Sequence, residues 1–285
     1  MQLMSLNKLL MKYGKTIIAV LLLLLSSLIS RSQSFDQVSD YLNRISLSRV
    51  DEDKISLNDS ITYVLTKYLK NDTVNNPWDY PDIPYLGELT SQDSLVKVFS
   101  WNIPLQNGSN IYNCIIYDRV RDNVIPLKND EGLLDLEPDK VIGAGDWYGT
   151  LYYEIIKINE GDSLSYVLLG YCPANNLNSK VIEVLGFDRD GNVFFGKDIF
   201  ADSPDDKKRM IFKYSPLATM MLKYQEESHR IVFDHLSPPS PEFAGQLRYY
   251  GPDFSYDALE IRSGRLFPVK DIDFRAKQDT TVIDN

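Results

Sequence analysis

Most of this chain alternates apolar and polar residues, from Leu95 to about residue 275. Neighbouring side chains on a β-strand point to opposite faces, so this period of two is typical of strands. The runs are rich in β-branched and aromatic residues, and clusters of Gly, Pro, Asn or Asp separate them. The short spacers are typical of hairpin connections, and we therefore expect an antiparallel meander of about a dozen strands.

Several runs are apolar on both faces, for example Val181–Phe187, which indicates strands buried within two packed layers. The expected fold class is mainly β. It is an antiparallel meander that forms a β-sandwich or a partial propeller-like stack, with a short N-terminal helical segment. A full propeller is disfavoured because the sequence shows no internal repeat of fixed period.

The first 32 residues have the order of a secretory signal peptide. Lys8, Lys12 and Lys15 precede the apolar run Thr16–Ser30, which ends in small residues. The run is short for a helix that crosses a bilayer, which needs about 20 apolar residues. We expect cleavage near Gln33 and a periplasmic or extracellular protein with no membrane association beyond the cleaved signal. The alternative is an uncleaved N-terminal anchor.

Two stretches after the signal repeat apolar residues at helical spacing, Phe35–Ile45 and Ile61–Leu69. Prolines at 77, 81 and 84 then favour an extended linker, since proline removes backbone donors. The expected organisation is a signal peptide over 1–32, a helical segment over 33–75, a Pro-rich linker over 76–94, an all-β domain over 95–275 and a tail over 276–285.

The mature chain is strongly acidic. Without the signal, Lys and Arg fall from 30 to 26 against 40 Asp and Glu, which leaves a net charge of −14. A chain of this charge has no electrostatic attraction for nucleic acid or for anionic lipid headgroups. The partners we expect are a glycan or an envelope protein.

One stretch has some of the features of a calcium loop. Asp188, Asp190 and Asn192 occupy three of the expected ligand positions, but Val193 stands where Gly is needed and Ile199 where a bidentate Glu is needed. The same stretch contains an Asp-Gly pair, which is typical of a tight turn between strands. We therefore expect a turn and no metal site.

No catalytic motif is present, and we expect no catalytic residue and no cofactor. Asp234 and His235 are adjacent on a predicted strand and so face opposite ways, while His229 lies about 20 Å from His235 along an extended strand. The remaining catalytic alternative is a pair of carboxylates, as in glycoside hydrolysis. The acids that lie among apolar residues are Asp146, Glu154, Glu183, Asp234, Asp253 and Asp257.

Aromatic clusters are the features most suggestive of binding. The expected ligand-binding residues are Trp147, Tyr148, Tyr249, Tyr250 and Tyr256, because such rings beside Asp provide apolar area and a hydroxyl group. The alternative is ordinary packing, since Tyr is a common strand residue. Residues 245–251 in this region are themselves predicted to be a strand.

The two cysteines, Cys114 and Cys172, leave two alternatives open. They form a disulfide, as an oxidising compartment would allow, or they are separate buried thiols.

The runs YVLLGY, KVIEVLGFDRDGNVFFG, KKRMIFKYS, RIVFDHLSP and YYGPDFSYDA resemble a family of exported proteins typical of Bacteroidetes, which has no assigned activity. The similarity covers Tyr152 to about Arg275. It implies an envelope location and a shared fold and carries over no site residue. The expected function is a non-catalytic binding module. The alternatives are a glycan- or peptide-directed hydrolase that uses a carboxylate pair, and a structural component of a surface assembly.

Overall fold

The computed structural model describes residues 35–71, 82–129, 137–160, 163–173, 177–202 and 206–272. The predicted signal peptide and C-terminal tail lie outside these ranges. The chain divides into two compact units, Met1–Tyr85 and Leu86–Asn285. No helix within the described ranges is long and apolar enough to span a bilayer.

The described residues of the first unit contain two helices, α1 over residues 35–47 and α2 (Asp51–Asn71). Three acidic residues occupy the first turn of α2, where they interact favourably with the positive end of the helix dipole. The Phe35 ring packs edge-on against Tyr68, with 4.9 Å between the ring centroids. The apolar stripes of both helices are buried, which confirms the predicted helical segment.

The described residues of the second unit form three antiparallel sheets. The strands are β1 (Gly87–Thr90), β2 (Val96–Pro104), β3 (Asn110–Asp118), β4 (Asn123–Asn129), β5 (Ile142–Gly143), β6 (Leu151–Glu160), β7 (Ser163–Cys172), β8 (Asn178–Phe187), β9 (Val193–Phe195), β10 (Met210–Tyr214), β11 (Leu222–Gln225), β12 (Arg230–Ser237), β13 (Gly251–Arg262) and β14 (Arg265–Val269). The first sheet has the order β1-β2-β3-β4, and the third sheet has the order β11-β12-β13-β14. The middle sheet has the order β5-β9-β8-β7-β6, and β10 also pairs with β8.

The middle sheet is buried on both faces. On β7, Tyr166 and Leu168 belong to the apolar cluster shared with the first sheet, whereas Val167 and Leu169 belong to the cluster shared with the third sheet. The mainly β, antiparallel fold class is therefore confirmed. The sheets pack in three layers rather than the expected two, because a sheet with two apolar faces needs a partner sheet on each side.

Three strands lie where the sequence pattern does not predict them, and one of them is the two-residue strand β5. β1 lies inside the stretch predicted as linker and pairs with β2. β4 contains Pro126 and forms the edge of the first sheet, where a missing backbone donor is tolerated. All three were missed because short or proline-containing edge strands lack a clear period of two.

The predicted turn between strands is confirmed at residues 188–192, which connect β8 to β9. The Asp188 carboxylate accepts the backbone N–H groups of Asp190 and Asn192 at 2.9 and 2.8 Å. Gly191 takes the left-handed conformation that this connection needs, with φ of +84°. The side-chain oxygens of Asp188 are thus used to close the turn.

A fully buried ion pair lies within the middle sheet. Arg209 Nε donates to Glu183 Oε2 at 2.7 Å, and neither side chain is exposed. Arg209 also donates to the backbone carbonyls of Glu137, Lys140 and Phe195 at 2.7–3.1 Å. One side chain thereby joins β8, β9 and the segment before β5.

Gly196 makes room for this guanidinium group. A Cβ atom at Gly196 would lie 2.8 Å from the Lys140 carbonyl oxygen and 2.9 Å from Arg209 Nη2. The residue also has φ of +97°, which side chains rarely adopt. By contrast, nothing lies within 4 Å of a Cβ built at Gly145, which lies outside the left-handed region.

We expect Gly196→Ala to lower the free energy of unfolding by about 1–3 kcal/mol, because it combines a strained backbone with a clash against Arg209. The matched variant Gly145→Ala should change this free energy by less than about 0.5 kcal/mol. Urea unfolding of both variants measures the difference. Equal stability of the two would contradict the described Arg209 network.

Candidate functional site

An irregular pairing between β12 and β13 defines the candidate site. His235 on β12 stands opposite three residues of β13, Asp253–Ser255, so the register shifts here. Bulges of this kind re-aim side chains and are frequent beside functional sites. The pairs on either side of the shift are Asp234 with Tyr256 and Leu236 with Pro252. We call His235, Asp253, Phe254, Ser255 and Asp257 the bulge site.

His235 contacts two carboxylates of β13. Its Nδ1 lies 3.0 Å from Asp257 Oδ2, and its Nε2 lies 4.0 Å from Asp253 Oδ2. The other oxygen of Asp257 accepts the backbone N–H of Asp271 at 3.1 Å. The hydrogen bond to Asp257, together with the charges of Asp253, Asp257 and Asp271, raises the pKa of His235 above its usual range although desolvation opposes this.

Asp253 is held in its ionised form by its neighbours. Desolvation acts in the opposite direction and is the largest single effect, but hydrogen bonds from Ser255 and the charge of His235 lower the pKa of Asp253 overall. The Ser255 hydroxyl and backbone N–H donate to Asp253 Oδ1 at 2.7 and 3.1 Å. The bulge site therefore carries negative charge around an imidazole ring.

Phe254 lies between these polar groups with its ring in solvent. Its exposed fraction is 92%, and its φ is +70°. A bulky residue in the left-handed region is an outlier that typically costs on the order of 1–3 kcal/mol. The bulge thus presents an apolar ring to solvent on strained backbone.

The loop between β12 and β13 contains two of the predicted tyrosines. Residues 247–249 form a short 3-10 turn rather than the predicted strand. The Tyr249 ring is 40% exposed and packs against Phe243 at 4.5 Å between centroids, with the Arg248 guanidinium 4.8 Å from its centroid. The Tyr250 hydroxyl instead accepts the Gly245 backbone N–H at 3.0 Å, which fixes the loop. Tyr256 is partly buried on β13.

The other two predicted binding residues, Trp147 and Tyr148, lie in the interior, with exposed fractions of 1% and 3%. The Trp147 indole N–H donates to the Tyr152 hydroxyl at 3.1 Å, and the Tyr148 hydroxyl donates to Glu183 Oε2 at 2.9 Å. The prediction that these two rings form a binding platform is wrong. Trp147 packs in the apolar cluster between the first and middle sheets, and Tyr148 packs in a smaller cluster with Cys172 and Val181.

The candidate carboxylates have different environments. Both Glu183 oxygens have internal partners, including the Val184 backbone N–H, and burial raises the pKa of Glu183 while Arg209 opposes this. Asp234 is mostly buried and accepts the Met221 backbone N–H at 2.6 Å. Desolvation raises the pKa of Asp234, as it does for the partly buried Glu154.

Sequence reasoning separated Asp234 from His235 correctly but missed the partner of His235. Asp257 lies 22 residues further along the chain, and strand register brings it to the imidazole. A period-two pattern shows which face a residue occupies but not which residue of the next strand stands opposite. The Gly251-Pro252 pair was a local sign of irregular backbone here.

The cysteines are both free and buried, so the disulfide alternative does not hold. Cys114 packs in the cluster between the first and middle sheets, whereas the Cys172 thiol lies 3.0 Å from the Gly149 carbonyl oxygen and 3.1 Å from Thr150 Oγ1. Burial raises the pKa of Cys172 to about 12 and that of Cys114 further. Within the described ranges, no group of three or more His, Cys, Asp or Glu is placed to hold a metal ion.

Comparison with known proteins gives no family assignment. No family model matches this chain, and no curated protein does either. The function therefore has to be argued from the bulge site itself.

We expect the folded protein to resist thiol reagents and to release two reactive thiols only after unfolding, because both cysteines are buried and protonated. Reaction with a thiol-specific chromogenic reagent, with and without denaturant, measures this. A protein that shows no thiol even in denaturant would contain the disulfide and contradict the described packing.

Proposed function

We propose that this chain is an exported binding module that acts without catalysis, and that its contact surface is the bulge site. The observation that carries the proposal is Phe254, an aromatic ring 92% exposed on a backbone with φ of +70°. Strained backbone persists where the surrounding structure maintains it, and it concentrates at functional positions.

The shape of the site favours a protein partner over a glycan. Platforms for sugars need rings that line a groove, and Trp147 and Tyr148 are unavailable because they are buried. Phe254 instead projects as a single ring, which suits insertion into a pocket on another protein. Aromatic anchors of this type account for much of the binding energy at protein interfaces.

The charged rim of the site supports specificity. Asp253 and Asp257 flank Phe254 along β13, and electrostatic complementarity at an interface mainly selects the partner and its orientation. An envelope protein is the proposed partner, since the N-terminal sequence and the resemblance to exported proteins both favour export.

A second candidate function is hydrolysis by a carboxylate pair. The observation that favours it is that the pKa of Asp234 is raised by desolvation while that of Asp253 is lowered, and that the charge of Asp253 contributes to the shift in Asp234. Pairs of carboxylates with oppositely shifted pKa values supply a general acid and a base. Asp234 is mostly buried and bonded to backbone, which makes this candidate the weaker one.

The test is a binding screen of the mature chain, residues 33–285, against peptide and glycan libraries. We expect peptide ligands, and we expect Phe254→Ala to weaken their binding at least tenfold, because truncation of an aromatic anchor removes its buried area. The matched control is Leu217→Ala, since Leu217 is a 97% exposed apolar residue on a different turn. It should change affinity by less than about twofold.

Three outcomes would contradict the proposal. Equal loss of affinity in both variants, or no loss in either, would show that Phe254 is not part of the contact surface. Ligands found only among the glycans would overturn the choice of partner. Turnover of a glycan or peptide that Asp253→Asn abolishes would establish the hydrolase instead.

A further inference from the structure

We infer that His235 is a pH-dependent latch on the bulge site: its protonated ring joins the two carboxylates that flank Phe254, and deprotonation releases one of them. The inference concerns regulation of the surface proposed above and rests on that proposal for its biological meaning. Its physical basis is the geometry of β12 and β13 alone.

The two carboxylates lie on either side of the strained residue. Asp253 directly precedes Phe254, and Asp257 follows it three positions later on the same strand. The imidazole reaches both, with 3.0 Å from Nδ1 to Asp257 Oδ2 and 4.0 Å from Nε2 to Asp253 Oδ2. One side chain of β12 therefore spans the part of β13 where three residues face a single partner.

Protonation changes how many of these contacts the ring can make. An imidazolium has two N–H donors, whereas neutral imidazole has one. In the neutral form the remaining proton stays at Nδ1, because the Asp257 carboxylate is the closer acceptor. The attraction between Nε2 and Asp253 is then lost, and Asp253 keeps the hydrogen bonds from Ser255 and Ser237.

The charges around the ring determine the direction of the pH dependence. The charged groups that face it are Asp253 and Asp257 on β13 and Asp271 after β14. The hydrogen bond to Asp257 and these carboxylates raise the pKa of His235 above its ordinary value of 6.5. The latch is therefore closed while the ring is protonated, and it opens as the pH rises through the raised pKa. Above it, three carboxylates repel one another without a cation between them.

The latch acts on the conformation of Phe254. The left-handed backbone at this residue persists only while neighbouring contacts maintain it. Loss of the Asp253 contact removes one of the two contacts that His235 makes with β13, so the Phe254 ring is held less firmly at high pH. Presentation of Phe254 is then strongest in acidic conditions.

The test is an NMR titration of the mature chain from about pH 5 to 9 that follows the His235 ring together with the backbone amides of Phe254 and Ser255. We expect the ring and the amides to titrate together, with one apparent pKa above 6.5. His235→Gln should abolish that transition in the amides. Asp253→Asn should lower the pKa of His235 and reduce the amide shifts, because it removes one of the two carboxylates.

The matched control is His229→Gln. His229 lies before the opposite end of β12, where its Nδ1 is 3.1 Å from the Tyr224 hydroxyl, and its replacement should leave the transition unchanged. Amides of Phe254 and Ser255 that stay constant while His235 titrates would overturn the latch, as would a His235 pKa at or below 6.5. No partner takes part in the titration, so such a result refutes the latch alone, while the Phe254→Ala binding screen separately decides the proposed function.

Discussion

The buried ion pair between Arg209 and Glu183 is the constraint on which the β unit depends. The middle sheet has apolar residues on both faces, and an unpaired charge in such a layer would be very unfavourable. Removing one partner of a buried pair typically costs about 3–5 kcal/mol. Arg209 meets this constraint with four hydrogen bonds, three of them to backbone carbonyls, so the pair also joins the segment before β5 to β8 and β9.

This closed interior limits where the molecule can interact with others. Aromatic rings and thiols are common in binding and redox sites, but Trp147, Tyr148 and both cysteines are used here in packing and internal hydrogen bonds. Glu183 likewise has partners for both oxygens. The third sheet differs because its pairing becomes irregular at His235 and Asp253–Ser255. There the structure exposes an aromatic ring beside ionised groups, and this contrast with the interior is the reason to place binding at that point.

The period of two and the short spacers were sufficient to predict an antiparallel, mainly β fold, and apolar residues at helical spacing were sufficient to predict the N-terminal helices. The third layer was not predictable, because an apolar strand does not show how many sheets surround it. For aromatic residues the sequence is ambiguous: Tyr148 and Tyr249 have similar neighbours in the chain, yet one is buried and the other is 40% exposed.

The contact between His235 and Asp257 was hidden for a different reason. The sequence placed His235 and Asp234 on opposite faces, which the structure bears out, but cross-strand neighbours depend on register. At a bulge, extra residues in one strand shift the register, and no periodic pattern in the sequence shows where those residues are. Phe254 follows the Gly251-Pro252 pair, which indicates a bend among aromatic residues, but its exposure results from the bulge, which no periodic pattern shows.

Hydrogen–deuterium exchange with and without the peptide that binds best gives the most direct test of a closed interior with binding at the bulge site. In the free protein, β7 and β8 should exchange most slowly within the β unit. Added peptide should then protect residues 253–257 and leave residues 147–152 and 181–185 unchanged. Protection centred on Trp147 or Glu183 would contradict this account, because it would require the interior to open around the ligand.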